Sequence, residues 1–333
     1  MTDSTDKRIL TLCEAMNEAI RYEMRNDETV FIAGESIQAG LFPVTKQLAE
    51  EFGLERVIDT PLAEAGIHGL AYGSALEGYR PIIDFSSSVF SYFAFADIAV
   101  IAGQQYFMHG SKTPVPMVMI GNYGTGMQMA NDHSMAVHGT YLHHPGTKVV
   151  VPSSPYDAKG LMTAAIRDNN PVFFEWCSGM MMDRGEVPQD DYLIPLGVAD
   201  IKRQGTDITV VASGMGLKSS LEAAETLAKE ISVEVLDPRT LEPFDMATLL
   251  QSLEKTNRLV IVDEAYESGG FAATLSARVM EQGFDLLDAP VERVTFPNMP
   301  IPGGVLEKQI LITAATIEAA IRRSCTCSTI GAN

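Results

Sequence analysis

RVIDTPLAEAGIHGLAYGSALEG, residues 56–78, contains a complete strand–turn–helix unit and one unexpected charge. Its start includes Val57-Ile58, a β-branched pair typical of a buried strand, and Asp59-Thr60-Pro61 is a turn signal. The remainder, rich in alanine and glycine, predicts a closely packed helix over residues 65–76. Glu64 is the ionisable side chain at the entrance of this helix. Such a unit indicates the parallel sheet of an α/β protein.

Glu64 has a structural and a functional interpretation. A carboxylate in the first turn of a helix is stabilised by the helix macrodipole, typically by about 0.3–1 kcal/mol, and this alone can explain its position. In open parallel sheets, however, ligands bind at the carboxyl ends of the strands. Phe90 follows the end of another predicted strand, so a buried acid and a stacking aromatic ring could share one crevice.

Similar units recur along the chain. Short apolar runs alternate with longer helical patterns, which predicts α/β layers whose strands are mostly parallel. The predicted strands are residues 30–33, 56–59, 81–85, 116–120, 148–151, 172–176, 208–212, 232–236, 258–262 and 291–296. The predicted helices are residues 10–25, 65–76, 94–107, 157–167, 219–229, 246–254, 271–281 and 307–323.

The length and these patterns predict two domains. A chain of 333 residues exceeds the size of a typical single core. From about residue 180 to residue 204 the apolar pattern loosens into Asp, Pro, Gly and Glu. We therefore expect a doubly wound, mostly parallel domain at residues 1–190, a linker at 191–205 and a second doubly wound domain at 206–333. All six histidines lie in the first domain, so imidazole chemistry would occur there.

The composition argues against several classes of function. With 24 basic and 43 acidic residues, the formal net charge of −19 has the wrong sign for binding nucleic acid backbones. No apolar run approaches the roughly 20 residues that span a bilayer, and the first residues lack a signal core, so we expect a soluble protein without a membrane partner. The four cysteines form no metal-ligand or disulfide framework, which favours a reducing cytoplasmic location.

Glycine-rich loops and histidines offer further candidate sites. Ser213-Gly214-Met215-Gly216 is similar to the start of a dinucleotide-binding loop but lacks the third glycine, and residues 121–126 lead into no P-loop lysine. Tight turns between strands and helices explain both segments. The histidine spacings do not match a zinc site. His68 is expected in the core, whereas His133 lies in a polar segment after a glycine-rich loop, where a surface role and a functional role both remain open.

A series of ordered motifs extends over residues 10–323. The motifs are Gly34-Glu35, RVIDTPLAEAG (56–66), DHS (132–134), VVVPSSPYDAKGL (149–161), AIRDNNPV (165–172), EVLDPRTLEPFD (234–245), KTNRLVIVDEA (255–265) and LDAPVERVTFPNMPIP (287–302). In these motifs the chain resembles the beta subunit of the thiamine diphosphate-dependent 2-oxo acid dehydrogenases, the decarboxylating component of the pyruvate, branched-chain and acetoin complexes. The resemblance implies a transketolase-like fold, with a pyrimidine-binding domain followed by a transketolase C-terminal-like domain.

The resemblance assigns roles to individual residues. Glu64 would be the glutamate that activates thiamine diphosphate by hydrogen bonding to a nitrogen of its aminopyrimidine ring and promoting the imino tautomer. Phe90 would stack on that ring, while Ser86 and the backbone of Leu62 would line its pocket. His133 would face the substrate and the incoming lipoyl group, as a proton donor or an orienting group. Glu64 and His133 are thus the implied catalytic residues.

The resemblance also implies a structural potassium ion. Its ligands would be mainly carbonyl oxygens, which suit a hard cation. Ligands of this kind leave little trace in the side chains of a sequence. Mapped onto this chain, the ligand residues are Met117, Ala165, Ile166, Asp168 and Asn170.

One motif of the enzyme class does not occur in the sequence. We find no GDG followed by an Asn-Asn pair, the pattern that holds magnesium and the diphosphate. In two-chain members this pattern lies on the alpha subunit, so the resemblance implies half an active site, completed by an alpha partner in an alpha2beta2 heterotetramer. Such an enzyme oxidatively decarboxylates a 2-oxo acid, or cleaves acetoin, and transfers the acyl group to lipoamide on a lipoyl-bearing acyltransferase core.

Two alternatives remain open on the sequence. The C-terminal chain of a split transketolase has the same two domains and a similar glutamate, although few basic residues near the crevice could bind sugar phosphates. A scaffold subunit that kept the fold and lost turnover is the second alternative. Several segments depart from the family pattern on the substrate side, so the 2-oxo acid is not identified. These segments include DFSSSVFSYFAFADIAV (84–100), GQQYFMHG (103–110), His138 and PGGVLE (302–307).

Overall fold

Two mostly parallel sheets dominate the computed structural model, which describes residues 8–110 and 112–326. In chain order the strands are β1 (Ile9–Thr11), β2 (Val30–Gly34), β3 (Val57–Asp59), β4 (Arg80–Ser87), β5 (Val118–Tyr123), β6 (Lys148–Val150), β7 (Val172–Cys177), β8 (Arg184–Glu186), β9 (Asp200–Arg203), β10 (Ile208–Ala212), β11 (Val233–Asp237), β12 (Thr240–Glu242), β13 (Leu259–Tyr266) and β14 (Glu292–Phe296). The helices are α1 (Leu12–Asn26), α2 (Leu48–Phe52), α3 (Glu64–Leu76), α4 (Gln105–Met108), α5 (Asn131–Ser134), α6 (His138–Leu142), α7 (Pro155–Arg167), α8 (Gly214–Thr226), α9 (Met246–Thr256), α10 (Phe271–Gln282) and α11 (Ala314–Thr326).

The first sheet has the strand order β12-β6-β7-β5-β4-β2-β3. The pairings from β6 to β3 are parallel. The edge strand β12 comes from the second half of the chain and runs antiparallel to β6, with Thr240 opposite Val150 and Glu242 opposite Val149. The first sheet is therefore completed by a segment that lies far along the sequence.

The second sheet has the strand order β14-β13-β10-β11-β9. Strands β14, β13, β10 and β11 are parallel, with β14 at one edge. Strand β9 forms the other edge and pairs antiparallel with β11. Strand β9 lies within the segment 191–205 that the sequence predicts as a linker. The two sheets confirm the predicted fold class of two mostly parallel α/β units.

Local sequence signals explain the main elements. Every residue of β5 and β7 is buried, as expected for near-continuous apolar runs in a parallel sheet that is covered on both faces. Helix α1 begins with a capping box, in which the Glu14 backbone N–H donates to Thr11 Oγ1 at 3.2 Å and the Thr11 N–H donates to Glu14 Oε2 at 2.8 Å. Helix α7 begins at Pro155, directly after the capping side chain of Ser154.

The main apolar core extends across both sheets. Val211 and Leu236 of the second sheet belong to the same buried cluster as Phe173 and Trp176 of the first. A smaller cluster lies between the second sheet and helices α8 and α11. The two halves of the chain therefore share one hydrophobic interior rather than meeting at a polar interface.

The single helix predicted for residues 94–107 is wrong. The segment contains 3-10 turns over Ser88–Ala94, a π-helical stretch over Asp97–Ala102 and then the short helix α4. The π-helix ends where the Gly103 N–H donates to Ile98 O at 2.9 Å. A Cβ atom on Gly146 would lie only 1.8 Å from Gly103 O, so a second loop presses directly on this backbone. The close approach of the two backbones occurs where the helix widens into the π-helical turn. The hydrophobic periodicity of the sequence gives no sign of such a turn.

The helix predicted for residues 307–323 begins later than expected, at Ala314. Residues Gly304–Gln309 form 3-10 turns instead. In this segment the side chain of Glu307 is 1% exposed and accepts hydrogen bonds from the backbone N–H groups of Gly126 and Gln128. The chain is therefore held against the first domain before the last helix begins.

Among residues 8–110 and 112–326, no helix combines the length and the apolar character that crossing a bilayer requires.

Candidate active site

The predicted cofactor-activating residue, Glu64, lies near the carboxyl edge of the first sheet. It is the first residue of α3, five positions after the last residue of β3. Helix α3 packs against the 3-10 segment Ser88–Ala94. Glu64 is half-buried, and its carboxylate has no hydrogen bond or ion pair with another described residue. The sequence predicted a buried acid, whereas in this single chain one side of Glu64 faces solvent.

Phe90 and His133 are in direct contact at the same edge. Their ring centroids are 5.2 Å apart and the rings meet edge to face at 83°. Phe90 belongs to the 3-10 segment that also contacts α3, and His133 lies in the short helix α5. His133 Nδ1 is 3.3 Å from Asp132 Oδ2, and the His133 side chain is 38% exposed. We call Glu64, Phe90 and His133 the edge cluster.

Ser86 and Leu62, the predicted lining residues, occupy different surroundings. Ser86 has a φ of 63°, a left-handed conformation that is uncommon outside glycine, and it lies at a register shift between β4 and β5. Its N–H donates to Asp84 Oδ1 at 2.8 Å and its carbonyl oxygen accepts from the Asn122 side chain. Leu62 is 71% exposed. Ser86 is thus fixed by hydrogen bonds at the end of its strand, whereas the side chain of Leu62 is left uncovered in the single chain.

Asp84 is a buried acid beneath Ser86. It is 8% exposed, and burial raises its pKa to about 6 against the lowering effect of the hydrogen bond from the Ser86 N–H. The side chain is turned toward the Ser86 backbone. We therefore assign Asp84 to holding the bend at the end of β4.

The loop that precedes His133 is held by the second half of the chain. Asn131 Oδ1 accepts hydrogen bonds from the Tyr266 hydroxyl and from the Ile301 N–H, the latter at 3.1 Å. Three residues earlier in the loop, the Gln128 carbonyl oxygen accepts from the Gly304 N–H at 3.1 Å. Together with Glu307, these contacts fix the loop from the second domain. The sequence did not predict these contacts, because all six histidines lie in the first domain and the expected chemistry was placed there alone.

His138 connects the two sheets through two carboxylates. Its Nδ1 lies 2.7 Å from Glu175 Oε2 on β7, and its Nε2 lies 2.9 Å from Asp263 Oδ1 on β13. The His138 side chain is 2% exposed. Burial lowers its pKa, but the charges of Asp263 and Glu175 outweigh burial and raise the pKa to about 10. The sequence identified His138 only as a departure from the family pattern.

The predicted potassium ligands lie around the ends of β5 and α7, and protein cations already contact some of them. Arg80 Nη1 donates to the carbonyl oxygens of Ile166 at 3.0 Å and Asp168 at 2.9 Å. Lys148 forms an ion pair with the Asp168 carboxylate. The oxygens of Met117 and Ala165 accept backbone N–H groups. A cation at this position would have to share these oxygens, and each carbonyl has a second lone pair for this.

Within residues 8–110 and 112–326, no group of three or more His, Cys, Asp or Glu side chains is arranged to hold a metal ion. His143 and His144, the adjacent pair of the sequence, contact each other through their rings, and His144 also contacts the ring of Phe95.

The two halves of the chain match two known domain families. Residues 9–178 match the transketolase pyrimidine-binding domain, and residues 197–317 match the transketolase C-terminal domain. The chain is 44% identical over 322 residues to the beta subunit of acetoin:2,6-dichlorophenolindophenol oxidoreductase from Bacillus subtilis, covering 92% of this chain and 94% of the relative. It is 40% identical to the pyruvate dehydrogenase E1 beta subunit of the same organism, covering 88% and 91%, and 38% identical to its 2-oxoisovalerate dehydrogenase beta subunit, covering 94% and 98%.

Solved structures agree with the fold. A split-gene transketolase, described as an inactive beta4 tetramer, superimposes with a TM-score of 0.79 at 21% identity, covering 95% of this chain and 98% of that chain. Transketolase from Campylobacter jejuni gives 0.71 at 14% identity over 95% of this chain and 47% of that chain. At such identities the likeness supports the fold alone.

The chain therefore belongs to the beta-subunit family of the thiamine diphosphate-dependent 2-oxo acid dehydrogenases, within the transketolase-like superfamily. This confirms the family and the class of oxidoreductase that the motifs predicted.

Proposed function

We propose that this chain forms half of the active site of a 2-oxo acid or acetoin dehydrogenase, and that an alpha subunit completes it in an alpha2beta2 heterotetramer. The observation that carries the proposal is the edge cluster. The Phe90 and His133 rings are in contact, and the half-buried Glu64 begins the helix that packs against the 3-10 segment of Phe90, in a member of this family. The reaction is decarboxylation or cleavage of the substrate, followed by acyl transfer to lipoamide.

The edge cluster suits the heteroaromatic end of thiamine diphosphate. A half-exposed phenyl ring at Phe90 can cover one face of an aminopyrimidine, the backbone of Leu62 can line its pocket, and the Glu64 carboxyl group can bond one of its nitrogens. Within the described residues no group of three or more His, Cys, Asp or Glu side chains is arranged to hold a metal ion, and the sequence lacks the GDG and Asn-Asn pattern that holds magnesium and the diphosphate in this enzyme class. We therefore assign magnesium and diphosphate binding mainly to the alpha subunit.

Glu64, Phe90 and His133 would each have a separate role in the reaction. Thiamine diphosphate, when bound, would supply the nucleophilic carbon that attacks the substrate carbonyl. Glu64 would share a proton with a ring nitrogen and so hold the cofactor in its reactive tautomer, and Phe90 would fix the plane of the ring. His133 would donate a proton or orient the lipoyl group during acyl transfer. General acid–base assistance of this kind contributes about 10²–10⁴-fold to a rate.

An alpha subunit bound at this edge of the sheet would exclude water from the site. A carboxyl group that must carry a shared proton works best away from water, because burial disfavours the charged form. In the single chain Glu64 remains half-exposed and Leu62 is 71% exposed. Docking of an alpha subunit over the edge cluster would exclude water from both. We also propose docking to a lipoyl-bearing acyltransferase core and a cytoplasmic location, which agrees with the free, buried thiols of Cys13 and Cys177.

The direct test is reconstitution. The chain would be co-expressed with the alpha subunit of its own organism, and the purified pair assayed with pyruvate, branched-chain 2-oxo acids, acetoin and sugar phosphates. Turnover of a 2-oxo acid or acetoin with lipoamide as acceptor is expected. Turnover of sugar phosphates alone would instead identify a split transketolase, and a correctly assembled but inactive pair would identify a scaffold subunit.

Phe90→Ala should weaken cofactor binding in the assembled pair. Loss of an aromatic stacking contact removes about 0.5–1.5 kcal/mol beyond the buried area, so the dissociation constant of thiamine diphosphate should rise about 3–10-fold or more. Titration followed by protein fluorescence measures this constant. Phe284→Ala, which removes a 61% exposed ring on the second domain, is the matched control. Equal affinity in the Phe90 variant and the wild type would contradict the assigned stacking role.

We also propose that potassium binds the oxygens of Met117, Ala165, Ile166, Asp168 and Asn170. Because a ligand that binds only the folded state stabilises it, potassium should raise the melting temperature above that in sodium or choline at equal ionic strength. At ten times the dissociation constant the gain is about 1.4 kcal/mol, or about 1–4 °C. Identical melting curves in the three salts would contradict the proposed potassium site.

A further inference from the structure

The segment Asn131–His138, which carries His133, is held at both of its ends by the second domain. At the first end, Asn131 Oδ1 accepts from the Tyr266 hydroxyl and the Ile301 N–H. At the last end, His138 Nε2 bonds to Asp263 Oδ1 at 2.9 Å. His133 itself makes no direct hydrogen bond to the second domain among the described residues. Its position is therefore set by two anchors that flank it.

The contact of His138 is built as an ion triad. Both ring nitrogens face carboxylate oxygens, and both can donate only if the ring carries two protons and a positive charge. The second oxygen of each carboxylate is also occupied. Glu175 Oε1 accepts from the Val137 N–H at 2.8 Å, and Asp263 Oδ2 accepts from the Ala272 N–H at 2.9 Å. All four carboxylate oxygens thus have a donor, which a buried ionic group needs in order to be stable.

The backbone around the triad is shaped for close contact between the domains. Helix α6, which begins at His138, packs against α10 of the second domain. A Cβ atom on Gly139 would lie 2.6 Å from Gly269 O, so only glycine permits this approach. The Ala272 N–H that Asp263 accepts belongs to the first turn of α10. The triad therefore joins the start of α6 to strands β7 and β13, and the Ala272 N–H adds the first turn of α10.

We propose that His138 is a positioning residue for His133. Together with Asn131, His138 ties the segment that carries His133 to the second domain, and so fixes the side chain that would face the lipoyl acceptor. This inference rests on the proposed function for the role of His133 in acyl transfer. It assigns the second domain a part in the reaction, in addition to its structural role. Removing the His138 ring would leave Glu175 and Asp263 as two buried like charges, and the resulting repulsion would displace the segment that carries His133.

The first test measures the position of His133 without any enzyme assay. In the assembled alpha–beta pair, ethoxyformylation of His133 by diethyl pyrocarbonate is followed by peptide mass spectrometry. His138→Gln should change the rate of His133 modification several-fold. The matched control His143→Gln alters an exposed histidine just beyond α6 and should leave that rate unchanged. An unchanged His133 rate in a folded His138→Gln variant would overturn the proposal.

The second test uses kinetics. A small misplacement of a reacting group can cost about 10²-fold, so His138→Gln should lower lipoamide-dependent turnover about 10–100-fold. Turnover with an artificial electron acceptor, which does not need acyl transfer, should fall only a few-fold. Because His138 acts through His133, the double variant His138→Gln/His133→Ala should be no slower than His133→Ala alone. Multiplicative losses in the double variant would assign His138 a separate, merely structural role.

Tyr266→Phe supplies the same test if the His138 variant fails to fold. It removes only the hydroxyl that donates to Asn131, and should produce the same pattern with a smaller loss, about 3–10-fold. If the wild-type pair shows no lipoamide-dependent turnover, the proposed function fails, while the modification rates of His133 still decide whether the two anchors position it. A Tyr266→Phe pair that modifies and turns over like the wild type would contradict the anchoring role of Asn131.

Discussion

Glu64→Gln in the reconstituted alpha–beta pair should lose at least about 10²-fold in turnover, and up to about 10⁴-fold, with every substrate and acceptor. Glutamine keeps the shape of the side chain but cannot share its proton with a ring nitrogen of the cofactor. The fold should persist, because Glu64 is half-buried, forms no ion pair within the described residues and contributes to α3 mainly through the helix dipole, about 0.3–1 kcal/mol. Steady-state kinetics and gel filtration measure the two effects separately.

Glu77→Gln is the matched control, because Glu77 is an exposed glutamate at the other end of the same helix. It should assemble with the alpha subunit and turn over like the wild type. A Glu64→Gln pair that assembles and retains full activity would remove the assigned role of Glu64 in cofactor activation.

His133→Ala should separate acyl transfer from the earlier steps. We expect lipoamide-dependent turnover to fall about 10²–10⁴-fold, because a positioned imidazole that donates a proton contributes a factor of this size. Cofactor affinity should change much less, since Phe90 meets His133 only through the edge of one ring. Cofactor titration, the lipoamide assay and an assay with an artificial electron acceptor together measure the three quantities.

His143→Ala provides the comparison for that variant, because it removes an exposed imidazole ten positions further along the chain. Equal losses in cofactor binding and in acyl transfer would contradict the role of His133 in facing the acceptor. Unchanged lipoamide turnover would remove it from the reaction altogether.

The sequence predicted the sheets well because their strands are short apolar runs bounded by turn signals. Strand β10 has the predicted bounds, and β7 extends one residue beyond its prediction. Phe90 was a candidate because it follows the end of a predicted strand, and the family resemblance singled out His133; the two rings are in contact in the structure. His68 was expected in the core and is 1% exposed.

The anchors of the site were not predictable because they join residues that are far apart in sequence. His138 bonds to a carboxylate 125 positions away, and Glu307 bonds to a backbone N–H 181 positions away. Hydrophobic periodicity reports only on neighbours within a few turns or strands. The partial exposure of Glu64 was missed for another reason. The family resemblance implies a site assembled from two subunits, whereas in the single chain Glu64 remains half-buried.

The small antiparallel strand β12 has a consequence for how the protein can be divided. In a fragment that ends before Thr240, the first sheet would lack its edge strand β12. Strand β6 would then expose unpaired backbone groups at the edge of the sheet, which promotes aggregation. Such a fragment would also lose the apolar side chains that the later half contributes to the shared interior. We therefore expect the two domains to unfold together as one cooperative unit, and neither domain to fold stably on its own.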